Sequence, residues 1–479
     1  MAITIEQGPL YNYFVAGQPL VWAVKESAVG TYFNFKYIAE VYITSSNNIN
    51  LSTSTDKRAI FKTTPNNEGV GIFDLGPFLE SYVSSQNQGV GGSNQSSSHY
   101  KGVDYSLDTP HPIHLIDEFC KGDNVIRGMA IKFKAEGATS QNGAVSDLGV
   151  VKNSNMNWYF NGVLQHDNVL TLGQSGISQG RYGFNFTAND LYTTEDGGGF
   201  LTNAPTTQYA NIDDYGTVGF LNFAPNGSND KVTKIKFTYY KTDGSTVTEN
   251  VTQGFGNGGC TNLDSTRCKF IFAGVYPANL RNHSSTFQAL VAADTLDYYT
   301  FQAESSNSGA TTNSKLYTIN INCPNTKGYE SIRLTWLNQW GAWDYYTFTQ
   351  KSTKSLTTNR TTYTQMSGSW NEEKYRIYGY KGGRKNFRVN TTERIVVNTD
   401  YIAEENSAWF EDLINSTEVY ILNGFDATES NPYNTITNKY VEPVLITTSD
   451  FTRKTVANDK LIQYTFSMER NKTKNTQSV

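Results

Sequence analysis

The sequence predicts a mostly β protein: several domains of β-sandwich type, with one short helix placed in an α+β C-terminal domain. Three observations predict it. Charged residues make up only 17% of the 479 residues, below the usual quarter, while Tyr, Phe, Thr, Asn, Ser and Gly are abundant, a composition that suits sheets. Short stretches of alternating apolar and polar residues recur between Gly-, Asn- and Pro-bearing turns. Finally, Arg333–Phe348 holds three of the seven tryptophans and alternates on both sides of Gly341. A chain this long holds roughly two to four domains, and the divisions fall at 1–190, 191–325 and 326–479.

In the first part, Thr31–Ile43 reads as a long strand. Phe33, Phe35, Tyr37, Ala39, Val41 and Ile43 fall on one face, and Asn34, Lys36 and Glu40 on the other. Arg58–Thr63 is a further strand and Pro65–Gly71 a turn. Phe73–Val83 is expected to form a short helix with Asp74 as its N-cap. Ser84–Gly102, rich in Gly, Ser, Asn and Gln, is expected to be an exposed loop that reaches a neighbouring subunit. Val125–Ala135 and Asn157–Gln165 return to strand patterning.

The chain from Tyr192 to Asp230 is loop-like. Beyond it, Val232–Tyr240 alternates cleanly, Asp243-Gly244 supplies a tight turn, and Ser245–Val251 completes a hairpin. Strands at Phe270–Val275, Tyr298–Glu304 and Lys315–Ile321 make a second sandwich.

The last part opens with the Trp-rich hairpin, turning at Gln339–Ala342 with Gly341 free to take positive φ. Trp336, Trp343 and Phe348 bury apolar area there. Trp336 is expected in the core, and Trp340, beside the turn glycine, at an interface. Asn338, Gly341, Asp344, Tyr346, Trp409 and Leu413 complete the structural or interface set. Strands follow at Tyr375–Tyr380 and Arg394–Thr399. The one helix with clear periodicity is Ser407–Ile414, with Ser407 as N-cap, Glu411 in its first turn, and Trp409/Leu413 and Phe410/Ile414 stacked four apart. Glu418–Leu422, Val444–Thr448 and Leu461–Met468 finish the sheet, and Arg470–Val479 is expected to be an unstructured polar tail.

Catalytic chemistry is hard to find. Gly254–Gly259 spells G-x-G-x-x-G, but no helical pattern follows to meet a pyrophosphate. His111, His114 and Cys120 lack a second cluster to complete a metal site, and Gly173–Gly176 has its second glycine one place early for a nucleophile elbow. Asp213-Asp214, Glu195-Asp196 and Glu404-Glu405 are sequence neighbours, which is no sign of two carboxyls facing across a substrate. Cys260 and Cys268 lie close enough to pair in an oxidising medium; whether they do is left open. The chain is therefore expected to be non-enzymatic, with no cofactor and no metal. A formal charge of -5 with no basic stripe gives no reason to expect sequence-specific nucleic acid. No secretory signal and no membrane-length apolar run stand out, so a soluble product made in the cytoplasm is expected. The surplus of Tyr and Trp also suits sugar binding by stacking, against which stands its ordinary use in cores and subunit interfaces.

Several stretches bring a resemblance. Cys323–Tyr329 leads into Arg333–Asn338, Gly341 and Trp343–Phe348; Trp409–Tyr420, Pro443–Ile446 and Asp459–Phe466 follow; Phe61–Pro65 and Gly69–Leu75 lie near the N-terminus. Together these resemble virion structural proteins of the tail or collar of tailed bacteriophages, most like those of phages infecting Bacteroidetes, crAss-like phages included. The resemblance implies a structural subunit of a ring, collar, adaptor or hub. Its partners would be copies of itself, in six-fold or twelve-fold rings, and other tail, portal or collar proteins, with assembly in the host cytoplasm and residence in the virion. The alternatives are a receptor-binding or fibre protein contacting host glycans, and a capsid decoration or head-fibre protein.

Overall fold

The computed structural model describes residues 2–9, 13–45, 49–52, 55–84, 119–121, 125–164, 199–221, 232–252, 269–307, 310–322, 328–369, 372–422, 441–452 and 461–471. The protein is mostly β, built from several multi-stranded sheets. Among the described residues no helix is long and apolar enough to cross a membrane.

The first part contains β1 (Ile3–Gln7), β2 (Tyr13–Gly17), β3 (Val21–Glu26), β4 (Phe33–Thr44), β5 (Lys57–Thr63), β6 (Val70–Asp74), α1 (Gly76–Glu80), β7 (Phe119–Lys121), β8 (Ile126–Ala138), β9 (Ser146–Asn153) and β10 (Asn157–Val163). One sheet runs β1-β3-β6; the other runs β2-β10-β8-β4-β5, with β9 added to β8. Trp22 and Phe73 from the first meet Tyr37, Ile131 and Phe133 from the second in one core. The alternation of β4 is kept from Phe35 to Ile43, but Phe33 is exposed. A register shift beside Asn34, whose φ is 52°, turns Phe33 outward, as a bulge does. The opposite face is also covered in part: Glu40 is buried and bonded to Lys57 (3.0 Å) and Lys134 (3.1 Å). The expected helix Phe73–Val83 starts only at Gly76, because Phe73 and Asp74 still pair with β3. Asp74 is not its N-cap, yet its Oδ1 accepts from Gly76 N at 3.2 Å and shapes the strand-to-helix corner.

The central part contains β11 (Thr207–Ala210), β12 (Thr217–Leu221), β13 (Val232–Lys241), β14 (Thr246–Thr252), β15 (Phe270–Gly274), α2 (Pro277–His283), α3 (Ser285–Ala292), β16 (Leu296–Asn307), β17 (Ala310–Asn313) and β18 (Tyr317–Ile321). Its sheets run β11-β18-β16-β13-β14, with β17 on β16, and β12-β15-β7. Strand β7, from the region expected to belong to the first domain, thus pairs in the central one. Helices α2 and α3 add two short helices, at Pro277–His283 and Ser285–Ala292, to those expected. Pro277 opens α2, and Ser284 caps α3 by accepting from Phe287 N at 2.9 Å. Both helices are too short for periodicity to announce them.

The C-terminal part contains β19 (Ile332–Leu337), β20 (Trp343–Phe348), β21 (Thr353–Gln365), β22 (Gly383–Asn398), β23 (Ile402–Ala403), α4 (Ser407–Asn415), β24 (Val419–Leu422), β25 (Val441–Ile446), β26 (Leu461–Ile462) and β27 (Thr465–Arg470). A seven-stranded sheet runs β20-β19-β24-β25-β27-β22-β21, and β23 pairs β26. Three local expectations fail here. Tyr375–Tyr380 is no strand; only an isolated bridge joins Gly368 and Ile377. Ser407 is not an N-cap, since a 3-10 turn at Glu404–Asn406 feeds straight into α4; Asn406 takes the cap position, and no acidic residue lies in the first turn. Arg470 is not tail but the end of β27, where its guanidinium bonds Glu442 and, at 3.2 Å, Glu393. Ser84–Gly102 beyond Ser84, the Gly254–Gly259 loop, His111, His114, Cys260, Cys268, Glu195-Asp196, Gly173–Gly176 and the tail beyond Asn471 lie outside the described residues.

Candidate functional site

The Trp-rich hairpin is buried on both faces, where alternation predicts one wet face. Ile332, Leu334 and Trp336, with Tyr346 and Phe348, face α4; Arg333, Thr335, Tyr345 and Thr347 face the central part. Trp336 is 0% exposed. Its ring centroid lies 5.6 Å from that of Trp409 and 6.4 Å from Phe410, with buried Leu413 on the same side of α4. Tyr346 stands edge-on to Trp409 at 5.5 Å, and its hydroxyl accepts from Asp400 N at 3.0 Å. Trp343 packs edge-on to Tyr420, 5.9 Å away.

The turn of this hairpin is where all three parts meet. Asn338 Oδ1 accepts from Trp340 N (3.0 Å) and Ala342 N (3.1 Å), while its Nδ2 donates to the Leu201 carbonyl at 2.9 Å. Val163 N, from the first part, donates to the Gln339 carbonyl at 2.7 Å. Gly341 has φ 73°, and a Cβ there would overlap the Asn161 carbonyl. Trp340 is only 5% exposed, and its Nε1 donates to Asn203 Oδ1 at 3.1 Å. The interface it makes is therefore within the chain and leaves no ring for another subunit.

Two carboxyls sit at this junction, Asp344 buried and Asp412 half-buried. Asp344 accepts from the Thr202 hydroxyl, and Asp412 accepts from Asn203 Nδ2 at 2.7 Å. Burial pushes Asp344 up to about 7, against the lowering effect of Thr202 and reinforced by the charge of Asp412. Burial likewise pushes Asp412 up to about 6. Arg333 forms a second lock: its Nη1 bonds Asp214 Oδ2 (3.2 Å) and Thr347 Oγ1 (2.8 Å), and its Nε bonds the Tyr215 carbonyl (2.9 Å). The adjacent Asp213 is exposed and bonds Arg281 at 2.7 Å, so the Asp213-Asp214 pair serves two separate partners. Among the described residues no three His, Cys, Asp or Glu side chains gather as a metal ion would require.

A cleft of about 540 Å³ opens between the central and C-terminal parts. Tyr209 on β11, Tyr329, and Tyr401 after β22 line it with exposed rings; Tyr345, Tyr346 and Trp409 lie deeper. Asn211, Asn322 and Asn406 contribute amides and Thr207, Ser331 and Thr349 hydroxyls. Asp400, also in the lining, accepts from Thr349 Oγ1 at 2.8 Å and from the Gln350 amide.

From the rim of this cleft the chain leaves the body as a ribbon. β21 and β22 pair from Thr353↔Val396 to Gln365↔Gly383, about 40 Å at roughly 3.3 Å per residue. β27 covers β22 only at Arg394–Asn398. The remainder is two-stranded; β21 is exposed nearly throughout, and β22 there is exposed or half-buried up to the buried Glu393. Leu356, Tyr363, Met366, Tyr375, Ile377, Tyr380 and Phe387 face solvent. The expected strand Arg394–Thr399 was only its root, and β21 went unnoticed because its apolar residues are too few to alternate. The usable signal was β-branched content: six of the 13 residues in β21 are Thr.

No family model and no curated protein matches the chain. Among the solved structures that match, three show how weak the likeness is. A chain described as BspA_C_mut matches at 8% identity over 67% of this chain and 98% of its own, with a TM-score of 0.11. The C-terminal domain of the Streptococcus pyogenes antigen I/II-family protein AspA matches at 8% over the same shares, with a TM-score of 0.10. Trypsin-activated alpha-2-macroglobulin from Escherichia coli matches at 7% over 97% of this chain and 42% of its own, with a TM-score of 0.14. Agreement this low carries no argument about function. The functional reading rests on the chain's own surfaces, above all the ribbon.

Proposed function

We propose that the chain is a non-enzymatic virion structural protein, a subunit of a bacteriophage tail complex that assembles with copies of itself and with neighbouring virion proteins. The observation that carries this reading is the β21–β22 ribbon. A two-stranded sheet wetted on both faces is marginal alone; this one exposes Leu356, Tyr363 and Phe387, and the segment joining its strands exposes Met366, Tyr375, Ile377 and Tyr380. An element of that kind suits a surface that another molecule covers.

Charge indicates which surface. Against the expectation of no basic stripe, residues 353–398 hold nine Lys or Arg against three Glu, a formal +6, which leaves −11 for the rest of a chain whose total is -5. The body of a second copy is thus electrostatically complementary to the ribbon of the first. A ribbon-to-body contact is head-to-tail, the kind that closes into rings. The phage setting comes from the sequence resemblance alone.

Native mass spectrometry of the full chain, beside a variant in which residues 357–392 are replaced by a short Asn-Gly turn, tests the reading. The full chain is expected at six-fold or twelve-fold mass, and the variant as a monomer with an unchanged unfolding temperature. A full chain that stays monomeric or trimeric in assembled particles overturns the ring. Assembly indifferent to ribbon removal overturns the ribbon's part in it.

A further inference from the structure

We infer that the cleft at the ribbon's root binds a neutral oligosaccharide. The inference stands on the chemistry of the lining and is independent of the assembly reading. Among the described residues no lysine or arginine lines the cleft, which gives an anionic ligand no counter-ion there. Its single carboxylate, Asp400, is already bonded to Thr349 and Gln350, so a cation finds a charge that is spoken for. Aliphatic lining is limited to Pro205, Ile402 and Ala403, too little for a lipid chain.

What the cleft does offer is rings and amides. Tyr209 is 66% exposed and Tyr401 69%, and both belong to the lining. The side chains of Asn211, Asn322 and Asn406 make no hydrogen bond to another described residue, and each amide carries two donors and an acceptor. A sugar ring matches that inventory: one C–H face to lie on a tyrosine, and hydroxyls around its edge for the amides. The volume of about 540 Å³ lies in the range of small-molecule sites. Glycoside hydrolysis needs two carboxyls across the bond; among the described residues the lining has one, an arrangement that suits holding the saccharide.

The test is an array of neutral α- and β-glucans, mannans, galactans and chitin fragments probed with the full chain, followed by calorimetric titration of the bound oligosaccharides. At least one is expected to bind, with affinity falling about tenfold or more in Tyr401→Ala and in Tyr209→Ala. Both rings are exposed, so the unfolding temperature should not move. Phe387→Ala, on the ribbon, should leave binding unchanged. Binding to none of the array, binding that survives both tyrosine changes, or selection of sulfated or sialylated glycans overturns the inference. So does an intermolecular disulfide, formed with an added thiol oxidant, between Tyr401→Cys of one copy and Tyr380→Cys in the ribbon of another while no sugar binds, since the neighbour's ribbon would then be the occupant.

Discussion

Asp214 Oδ2 lies 3.2 Å from Arg333 Nη1, a buried pair whose members are 119 residues apart in the chain. It ties the loop before β12 to the Trp-rich hairpin, and the guanidinium also stacks 4.7 Å from the centroid of Tyr276. Removing one partner leaves the other charge buried alone. Arg333→Met should therefore cost about 3–5 kcal/mol. Adding Asp214→Leu should recover a good part of that loss, because no orphan charge then remains. Urea unfolding of the three variants checks it; a double variant no better than the single would show that packing against Tyr276 and Tyr345 dominates.

Trp336 makes the same kind of argument for the other face of the hairpin. Its indole is enclosed by Trp409, Phe410 and the strands beneath, and truncation leaves a cavity that these rings cannot fill by small shifts. Trp336→Ala should cost ~3–5 kcal/mol, read as a lowered midpoint in thermal or denaturant unfolding. An unchanged midpoint would mean the residue is not core at all.

These two residues show how much the sequence discloses. Alternation along Arg333–Phe348 is a local property, so Trp336, Trp409 and Leu413 were legible as packing residues. What lies across the second face was not: Arg333 and Thr347 read as solvent-facing because their partner, Asp214, comes from the central part, more than a hundred residues upstream. Trp340 failed for the same reason, since the acceptor at Asn203 is 137 residues away. The ribbon was hidden by a different cause. Alternation marks strands that bury one face, and the projecting part of β21–β22 buries neither.

The two carboxyls at the junction predict a pH dependence with a definite sign. The unfolded values lie near 3.8, and in the folded protein Asp344 titrates near 7 and Asp412 near 6. The folded state thus holds more protons in between, and stability falls as pH rises. The contribution is full below about pH 3.8 and is lost as pH climbs through 6 and then 7. Asp344→Asn, which mimics the protonated form, should flatten this slope, so its stability relative to the parent should rise between pH 5 and 8 by up to roughly 1.4 kcal/mol per pH unit. Paired melts across that range measure it. A difference that stays constant with pH would mean that Asp344 is ionised throughout.

The last prediction separates backbone conformation from crowding. Gly244 and Gly341 both have left-handed φ, 80° and 73°, yet a Cβ at Gly244 meets nothing within 4 Å and one at Gly341 overlaps the Asn161 carbonyl. Gly244→Ala should cost only the left-handed penalty, about 1–2 kcal/mol. Gly341→Ala should cost clearly more, because the hairpin turn must withdraw from β10 and give up the Val163–Gln339 bond of 2.7 Å. That withdrawal has its own readout: faster hydrogen exchange at Val163, with exchange in the β13–β14 hairpin unchanged. Equal costs for the two substitutions would mean that the turn is not clamped between the first and last parts of the chain. A larger cost at Gly341 with exchange at Val163 unchanged would put the strain inside the turn itself.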